Sequence, residues 1–442
     1  MQAVKYKTFT IIAISFSLLS GHVNAMTLEK AVKESLQTNP ELLAQDQRYR
    51  ISGQRIDQAN TGYKPSVDLR AGAGRQRTEN SFSTAGKSVE LNPLQTSLVL
   101  TQPLFEGFKT KHGVASSEAT YRAERLQTLT KAEQISLQVA QSYLDVLKTE
   151  EIVKLADRNL KVHDELYKQI KSRFDKGASD KADMSQVEGR IALANSNYLS
   201  SLNNLEDAKA NFEAVAGFPA SDFNRPSVNA ELIPASRDDA LTIAAKEHPL
   251  IQSSRQNVKS SQENYEGAKS PYMPKLDLEL NGSWNEDNNG ISGTDNQLTA
   301  LVVLNWNLYQ GGFDSAERKI ALSQVDASKS ESNQVLRDVS QEIKLAYAAL
   351  ESTKRQKRFR QEHVVFSKET RRLYKLQFDS GKRTLLDVLN TENEVFNSST
   401  SYVESDYANL SAQYRILTAT GRMLSAINIR SPWDEDDVDG VE

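Results

Sequence analysis

The chain contains no cysteine, so it can form no disulfide bond and cannot carry the lipid anchor of a lipoprotein. It has only 11 prolines in 442 residues, and 38% of its residues are hydrophobic. Beyond residue 25, no apolar run reaches the roughly 18 residues of a membrane-spanning helix. Together with a mean hydropathy of −0.56, these absences indicate a long, polar, helical protein that is stabilised by packing alone.

The N-terminus has the pattern of a secretory signal peptide. Lys5 and Lys7 precede an apolar stretch, and small residues before Met26 suit cleavage by signal peptidase. We therefore expect residues 1–25 to be removed. Because they hold two lysines and no acidic residue, their loss changes the formal net charge from −4 to −6. This acidic balance argues against nucleic acid as a partner and leaves a periplasmic protein or an outer-membrane protein.

Stretches without glycine or proline predict unusually long helices. They cover residues 114–176, 190–216, 313–380 and 382–420. At about 1.5 Å per residue, the longest would form helices of roughly 90–100 Å. A thin apolar stripe recurs along them at steps of three or four residues, as at Ile135, Val139 and Tyr143. Such a stripe favours the wall of a hollow helical tube, and an ordinary coiled coil is the alternative.

Segments of strand-like alternation lie between the helical stretches. They surround Leu69, Leu98, Leu278 and Val302, and each is about ten residues long, the length of a tilted membrane strand. The aromatic residues Phe105, Trp306 and Tyr309 near strand ends suit the interface of a membrane. Four strands cannot close a barrel, which needs at least about eight. Several chains must therefore share one barrel if these strands cross a membrane.

An internal repeat organises the mature chain. Residues 26–230 contain a β-hairpin at about 64–106, a long helix, a turn at Gly177 and a second helix. Residues 231–428 repeat this order, with a hairpin at about 273–310 and a turn at Gly381. Residues 429–442 form an acidic tail that we expect to be disordered, with partner binding as the alternative.

The duplicated layout resembles the TolC family of outer-membrane channel-tunnel proteins over nearly all of the mature chain. The segments that carry the resemblance are "LEKAVKESLQTNPEL", "LTQPLFEGF" and "GKRTLLDVLNTENEVFNSSTSYVESDYANL". The family implies a fold that is mainly α with a small β part: a coiled-coil helical barrel, and four strands per chain in a twelve-stranded barrel that a homotrimer shares. It also implies residence in the outer membrane, in contact with its lipid, with the tunnel extending into the periplasm.

The resemblance assigns the two turns to the periplasmic end of the tunnel. Gly177 and Gly381 supply the backbone freedom that a tight turn needs. The family binds its periplasmic membrane-fusion adaptor at these tips, and the adaptor connects the channel to an inner-membrane ABC transporter or proton-driven pump. The docking residues that follow from the resemblance are Gly177, Ala178, Ser179, Gly381 and Lys382.

A gate is implied just beyond the second tip. The position of Asp387 forms a ring of three carboxylates in the family, and such a ring attracts cations. Arg383 matches the arginine that ties this hairpin to its neighbour, and a carboxylate near Asp183 is the partner we expect. Asn390 stands where a second acid is familiar, and Phe378 replaces a tyrosine that donates a hydrogen bond. We therefore expect a closed gate that is held by fewer hydrogen bonds.

Other motifs point to no chemistry. The five histidines show no paired metal spacing, and no nucleophile motif is visible, so we expect neither metal, cofactor nor catalysis. Residues 285–296 superficially fit a calcium loop, but Asn296 stands in place of the closing glutamate. An external hairpin loop is the better interpretation of this segment.

We therefore expect a passive exit duct of a tripartite exporter. Type I secretion of a protein, such as a large adhesin, is the favoured cargo pathway, because the sequence looks closest to that branch of the family. Multidrug or metal efflux is the alternative. A periplasmic coiled coil without a pore is a third candidate, but the alternating, aromatic-ended strands have no use in such a rod.

Overall fold

A computed structural model describes residues 25–79, 88–431 and 433. Residues 1–24 of the expected signal peptide and most of the acidic tail lie outside these residues. The helices are α1 Leu28–Thr38, α2 Pro40–Asn60, α3 Lys109–Asp175, α4 Lys181–Ala216, α5 Arg237–Glu247, α6 Pro249–Gly267, α7 Phe313–Asp379, α8 Leu385–Ala419 and α9 Met423–Ala426. Within the described residues, none of them is both long and apolar enough to cross a membrane.

The two longest helices are equal in length. Helices α3 and α7 each contain 67 residues, which corresponds to about 100 Å. Each is followed by a tight turn and an antiparallel helix, of 36 residues in α4 and 35 in α8. The prediction of two repeated long-helix hairpins is thus confirmed, and Gly113 and Gly189 lie inside helices rather than at their ends.

Four long strands form one antiparallel sheet. The strands are β1 Ser66–Ala73, β2 Gln76–Thr78, β3 Val89–Leu91, β4 Leu94–Phe105, β5 Lys275–Glu286 and β6 Thr294–Asn305. Their order in the sheet is β1-β4-β5-β6, so the hairpins of the two repeats pair through β4 and β5. The sequence alone did not predict the short strands β2 and β3, which pair with each other in the segment that connects β1 to β4.

Strand β6 ends earlier than the alternation of the sequence suggests. The alternation continues in the sequence through Trp306 and Leu308, but the last residue of β6 is Asn305, which pairs with Lys275. The next partner along β5 would be Pro274, which has no N–H to donate to the sheet. Trp306 and Tyr309 therefore follow the strand, and both are well exposed.

The main apolar core lies far from the helical turns. It joins α1, the middle of α3, the end of α4, the end of α8 and the C-terminal segment. Tyr143 is fully buried there against Phe223, with 4.1 Å between the ring centroids. Its hydroxyl lies 2.6 Å from the carbonyl oxygens of Met26 and Asn224. A separate, smaller cluster lies close to the turns.

Candidate functional site

The turns at the ends of the long helices share one backbone conformation. Gly177 and Gly381 are left-handed, with φ of 74° and 75°. In each turn the following residue donates to a carbonyl five positions back: Ala178 N to Arg173 O at 2.8 Å, and Lys382 N to Gln377 O at 2.8 Å. This is the Schellman ending of a helix. The five residues that we expect to dock an adaptor lie in these turns, where all but the half-buried Ser179 are exposed.

The matched acids Asp183 and Asp387 lie in the first turns of α4 and α8. The Asp183 backbone N–H donates to Asp180 Oδ1 at 2.8 Å, and its carboxylate accepts from Ser179 Oγ at 2.9 Å. Asp387 bonds Thr384 in the same two ways, with its carboxylate accepting at 2.8 Å. Both acids thus stabilise a helix N-terminus. Their repeated spacing from the glycines has this local reason whether or not Asp387 also faces a tunnel.

Arg383 makes its contacts within its own hairpin. Its Nε donates to Gln377 Oε1 at 3.0 Å, and its guanidinium lies 3.9 Å from the centre of the Tyr374 ring. Asp387 Oδ2 is 3.9 Å from Arg383 Nη1. The chain does not bring Arg383 to Asp183, so the expected tie to a carboxylate near Asp183 stays a prediction about a neighbouring copy.

Phe378 and Asn390 have partners that the sequence did not reveal. Phe378 is 7% exposed, and the Arg173 guanidinium lies 4.9 Å from its ring centre. Asn390 Oδ1 accepts from Arg190 Nη2 at 2.6 Å. The contacts join residues about 200 positions apart, so no local pattern could have indicated them. Phe378 thus packs in an apolar cluster at the position where we had expected a missing hydrogen bond.

His163 of α3 is fully buried near this place. Neither of its ring nitrogens has a hydrogen bond of good geometry. Burial lowers the pKa of the imidazole, the neighbouring Asn393 side chain partly opposes that shift, and Arg190 adds to it. The imidazole is therefore neutral around pH 7.

The four-stranded sheet has one apolar face and one polar face. Residues that pair across antiparallel strands lie on the same face. One row of paired residues is Leu69, Leu98, Gly282 and Leu298, and the next is Val67, Leu100, Leu280 and Ala300. The opposite face carries the rows Arg70, Ser97, Ser283 and Gln297, and Asp68, Val99, Asn281 and Thr299. The apolar side chains are exposed, with Leu298 at 86%.

Both edges of this sheet lack a partner strand within the described part of the chain. Strand β1 pairs only with β4, and β6 pairs only with β5. Each outer strand therefore presents a row of backbone groups that water or another chain must satisfy. If the apolar face lay in lipid, further strands would have to pair with these edges.

Exposed apolar side chains also follow helix α7. Leu345, Phe359, Phe366 and Leu373 recur at multiples of seven residues, the spacing of a coiled-coil seam. Phe359 and Phe366 are 57% and 68% exposed. Helix α4 carries a shorter set, Leu193 and Leu199. Among the four long helices, α7 packs mainly on α8, α4 packs mainly on α3, and α3 and α8 pack on each other. Helices α4 and α7 are therefore the outer members of this group.

Features that could suggest a metal site have local partners. Within residues 25–79, 88–431 and 433, no group of three His, Cys, Asp or Glu residues is placed to hold a metal ion. His112 and His363 each bond a glutamate, at 2.8 Å and 2.7 Å. In the loop between β5 and β6, Asp287 Oδ1 accepts from Gly293 N at 3.0 Å and from the Ser292 hydroxyl. This carboxylate shapes the turn of a hairpin loop.

Comparison with known proteins links these features to one family. The family model described as outer membrane efflux protein matches residues 31–217 and 240–422. The chain is 26% identical over 436 residues to the outer membrane efflux protein BepC of Brucella suis, which covers 96% of this chain and 91% of BepC. It is 22% identical over 333 residues to the alkaline protease secretion protein AprF of Pseudomonas aeruginosa, which covers 73% of this chain and 68% of AprF.

Solved structures support the same fold. The crystal structure of a membrane protein from Pseudomonas aeruginosa is 17% identical to the chain and matches it with a TM-score of 0.79. The match covers 89% of this chain and 93% of that one. The predicted fold class, mainly helical with a small strand part, is confirmed.

Proposed function

The chain belongs to the outer membrane efflux protein family, the TolC family, and on that premise we propose that it forms the exit duct of a tripartite system for type I protein secretion. Its location is the outer membrane, with the helices extending into the periplasm. Members of this family are transport conduits rather than enzymes. The duct itself is passive, and an inner-membrane pump supplies the energy.

The observation that carries the duct, with either cargo, is the two-faced sheet, whose outer edges are open within the described residues, at one end of two helical hairpins about 100 Å long. An exposed apolar face suits lipid, and the polar face suits a water-filled lumen. Three copies would supply twelve strands, enough to close a barrel and remove every open edge. In this arrangement Phe105, Trp306 and Tyr309 lie at the membrane interface that such aromatic side chains favour.

The exposed helical faces support a homotrimer. Leu199 and Phe359 lie equally far along the chain from Gly177 and Gly381, and so do Leu193 and Val365. Because helices rise by the same amount per residue, these pairs stand at matching heights above the turns. Helix α7 of one copy can therefore bury its apolar stripe against α4 of the next. Repeated three times, this head-to-tail contact closes a ring.

The turns are the proposed docking site of a periplasmic adaptor. Gly177, Ala178, Ser179, Gly381 and Lys382 stand at the end of the chain farthest from the sheet and present a repeated surface. The adaptor would join the duct to an inner-membrane ABC transporter. The gate would lie just above, with Asp387 lining it and Arg383 tying α8 to the neighbouring copy near Asp183.

Efflux of drugs or metals is the second candidate. The similarity to BepC supports it, because this relative, described as an efflux protein, matches the chain at higher identity and over more of its length than AprF. AprF, described as a protease secretion protein, supports protein export. The duct geometry serves either cargo, so the pump that docks decides between them.

Conductance tests the duct and its gate. Purified wild-type protein in a planar lipid bilayer should form ion-conducting channels of low conductance. Arg383→Ser should raise the conductance several-fold, because it removes the guanidinium that is proposed to hold each hairpin against its neighbour. An Arg383→Ser channel indistinguishable from wild type would refute the clamp. Complete absence of conductance, in protein shown to be folded, would refute the duct.

Capture at the turns identifies the pump. Because the chain has no cysteine, Ser179→Cys or Lys382→Cys provides a single attachment point for a crosslinker in living cells. Mass spectrometry should find an adaptor encoded with an ABC transporter. An adaptor of a proton-driven pump would move the assignment to efflux, and recovery of no adaptor at either position would contradict docking at the turns.

A further inference from the structure

The two helical hairpins of the chain meet near their turns in a small apolar cluster. Its buried members come from all four helices: Leu166 and Ile170 of α3, Val187 of α4, Phe378 of α7, and Leu385, Val388 and Leu389 of α8. We call this contact the tip seam. Any movement of α7–α8 away from α3–α4 at the periplasmic end must open it and expose these side chains to water.

Two guanidinium groups cross the tip seam. Arg190 of α4 donates to the Asn390 side chain of α8 at 2.6 Å. Arg173 of α3 lies over the ring of Phe378 in α7, 4.9 Å from its centre, within the range of a cation–π contact. The first hairpin thus supplies a cation to each contact, and the second supplies an uncharged acceptor or ring.

The surroundings of Arg190 leave Asn390 as its partner in the seam. His163 of α3 is buried close by. Its imidazole is neutral near pH 7, so it offers Arg190 no negative charge. Glu392, on α8 and two residues from Asn390, is held by Arg371 of α7, with 3.7 Å between Nη1 and Oε2. The bond from Arg190 to Asn390 is therefore a directed link between the hairpins rather than part of a carboxylate network.

We propose that Arg190 and Arg173 are positioning residues that hold α7–α8 against α3–α4 and so keep the periplasmic end of the duct closed. The proposal rests on the proposed function, since it takes the turns as the gated end. It assigns Asn390 a role as the acceptor in an intrachain link. Docking of an adaptor at the adjacent turns would then have to break this link before the second hairpin can move.

Hydrogen exchange tests the link independently of conduction. In purified full-length protein, Arg190→Met and Asn390→Leu should each speed exchange of the backbone amides of residues 385–393 about three- to ten-fold, the range of a solvent-exposed hydrogen bond. The double variant should exchange no faster than either single variant, because both remove the same bond. Asn390→Asp, which keeps the acceptor, should retain wild-type protection. Arg372→Ala is the matched control, because its salt bridge to Glu369 stays within α7.

The outcomes separate the link from the proposed function. Additive effects of Arg190→Met and Asn390→Leu, or an effect no larger than that of Arg372→Ala, would overturn the proposal. In bilayers, Arg190→Met and Arg173→Met should raise closed-state conductance. Unchanged conductance in an otherwise working channel would overturn the gating role and leave the duct intact. Faster exchange in a protein that never conducts would support the link but contradict the duct.

Discussion

At the scale of single residues, the two repeats cap equivalent helices with different side chains. Asn39 and His248 occupy equivalent positions, each before a proline that begins a helix. Asn39 Oδ1 accepts from the backbone N–H groups of Glu41 and Leu42, and His248 Nδ1 accepts from that of Leu250 at 3.2 Å. An imidazole can accept this bond only while it is neutral. Burial supports that state, because it lowers the pKa of His248 to about 4.

This difference predicts a pH dependence that one substitution removes. Between about pH 6.5 and pH 4 the unfolded chain protonates His248 and the folded chain does not, so stability falls as the pH falls. The loss across this window should amount to about 3 kcal/mol. His248→Asn keeps the helix cap in the form that Asn39 uses, so the variant should match wild type at pH 7.5 and lose less stability at pH 4.5.

Thermal unfolding followed by circular dichroism at both pH values measures the effect. Other groups titrate in the same window, including the carboxylates and His163, whose pKa burial also lowers. The variant and wild type share all of them, so their difference isolates His248. Equal losses in the two proteins would contradict the assignment.

At the scale of elements, the sequence predicts long helices and strands well, but it predicts their ends and the contacts between them poorly. The absence of glycine and proline predicted α3 and α7, and alternation predicted the four long strands. The end of β6 depends on Pro274 in the partner strand, which a reading of residues 294–309 alone does not consider. The capping role of Asp183 and Asp387 does have a local signal, because Asp180 and Thr384, three residues before them, are typical helix caps.

Contacts across the bundle lie beyond any local pattern. Arg190 and Asn390 are 200 residues apart, and their bond depends on how two hairpins pack. The same holds for Arg173 and Phe378. A sequence can indicate that Phe378 cannot donate a hydrogen bond, but only the packing reveals what contacts its ring.

The two faces of the sheet make a sharp prediction for neighbouring residues of β6. Leu298 lies on the apolar face near the middle of the strand, and Gln297 lies on the polar face. Leu298→Arg should destabilise the folded protein in lipid by about 2–4 kcal/mol, the penalty for arginine at mid-membrane depth. Gln297→Arg, the matched control, should cost little because its side chain would face the proposed water-filled lumen.

Urea titration of the two variants folded into lipid vesicles, followed by tryptophan fluorescence, compares them directly. We expect the unfolding midpoint of Leu298→Arg to lie at a lower urea concentration than that of Gln297→Arg. A larger loss for Gln297→Arg would mean that the polar face, rather than the apolar face, contacts lipid.

At the scale of the whole molecule, a single chain has surfaces that suit contact with further copies of itself. Within the part of the chain that the structure describes, its sheet has two open edges, and its outer helices α4 and α7 expose apolar side chains at matching heights. Both features fit the proposed ring, in which another copy of the same chain would lie on each side. The sequence predicts that several chains share the strands, because four are too few to close a barrel. The number three comes from the family alone.

The most direct test is disulfide crosslinking in the outer membrane of living cells, using Leu199→Cys together with Phe359→Cys in a chain that has no other cysteine. A head-to-tail ring predicts covalent trimers in the outer-membrane fraction for the double variant and uncrosslinked protein for each single variant. Covalent dimers from either single variant, or monomers recovered in the osmotic-shock fluid, would contradict the account of a trimeric outer-membrane duct.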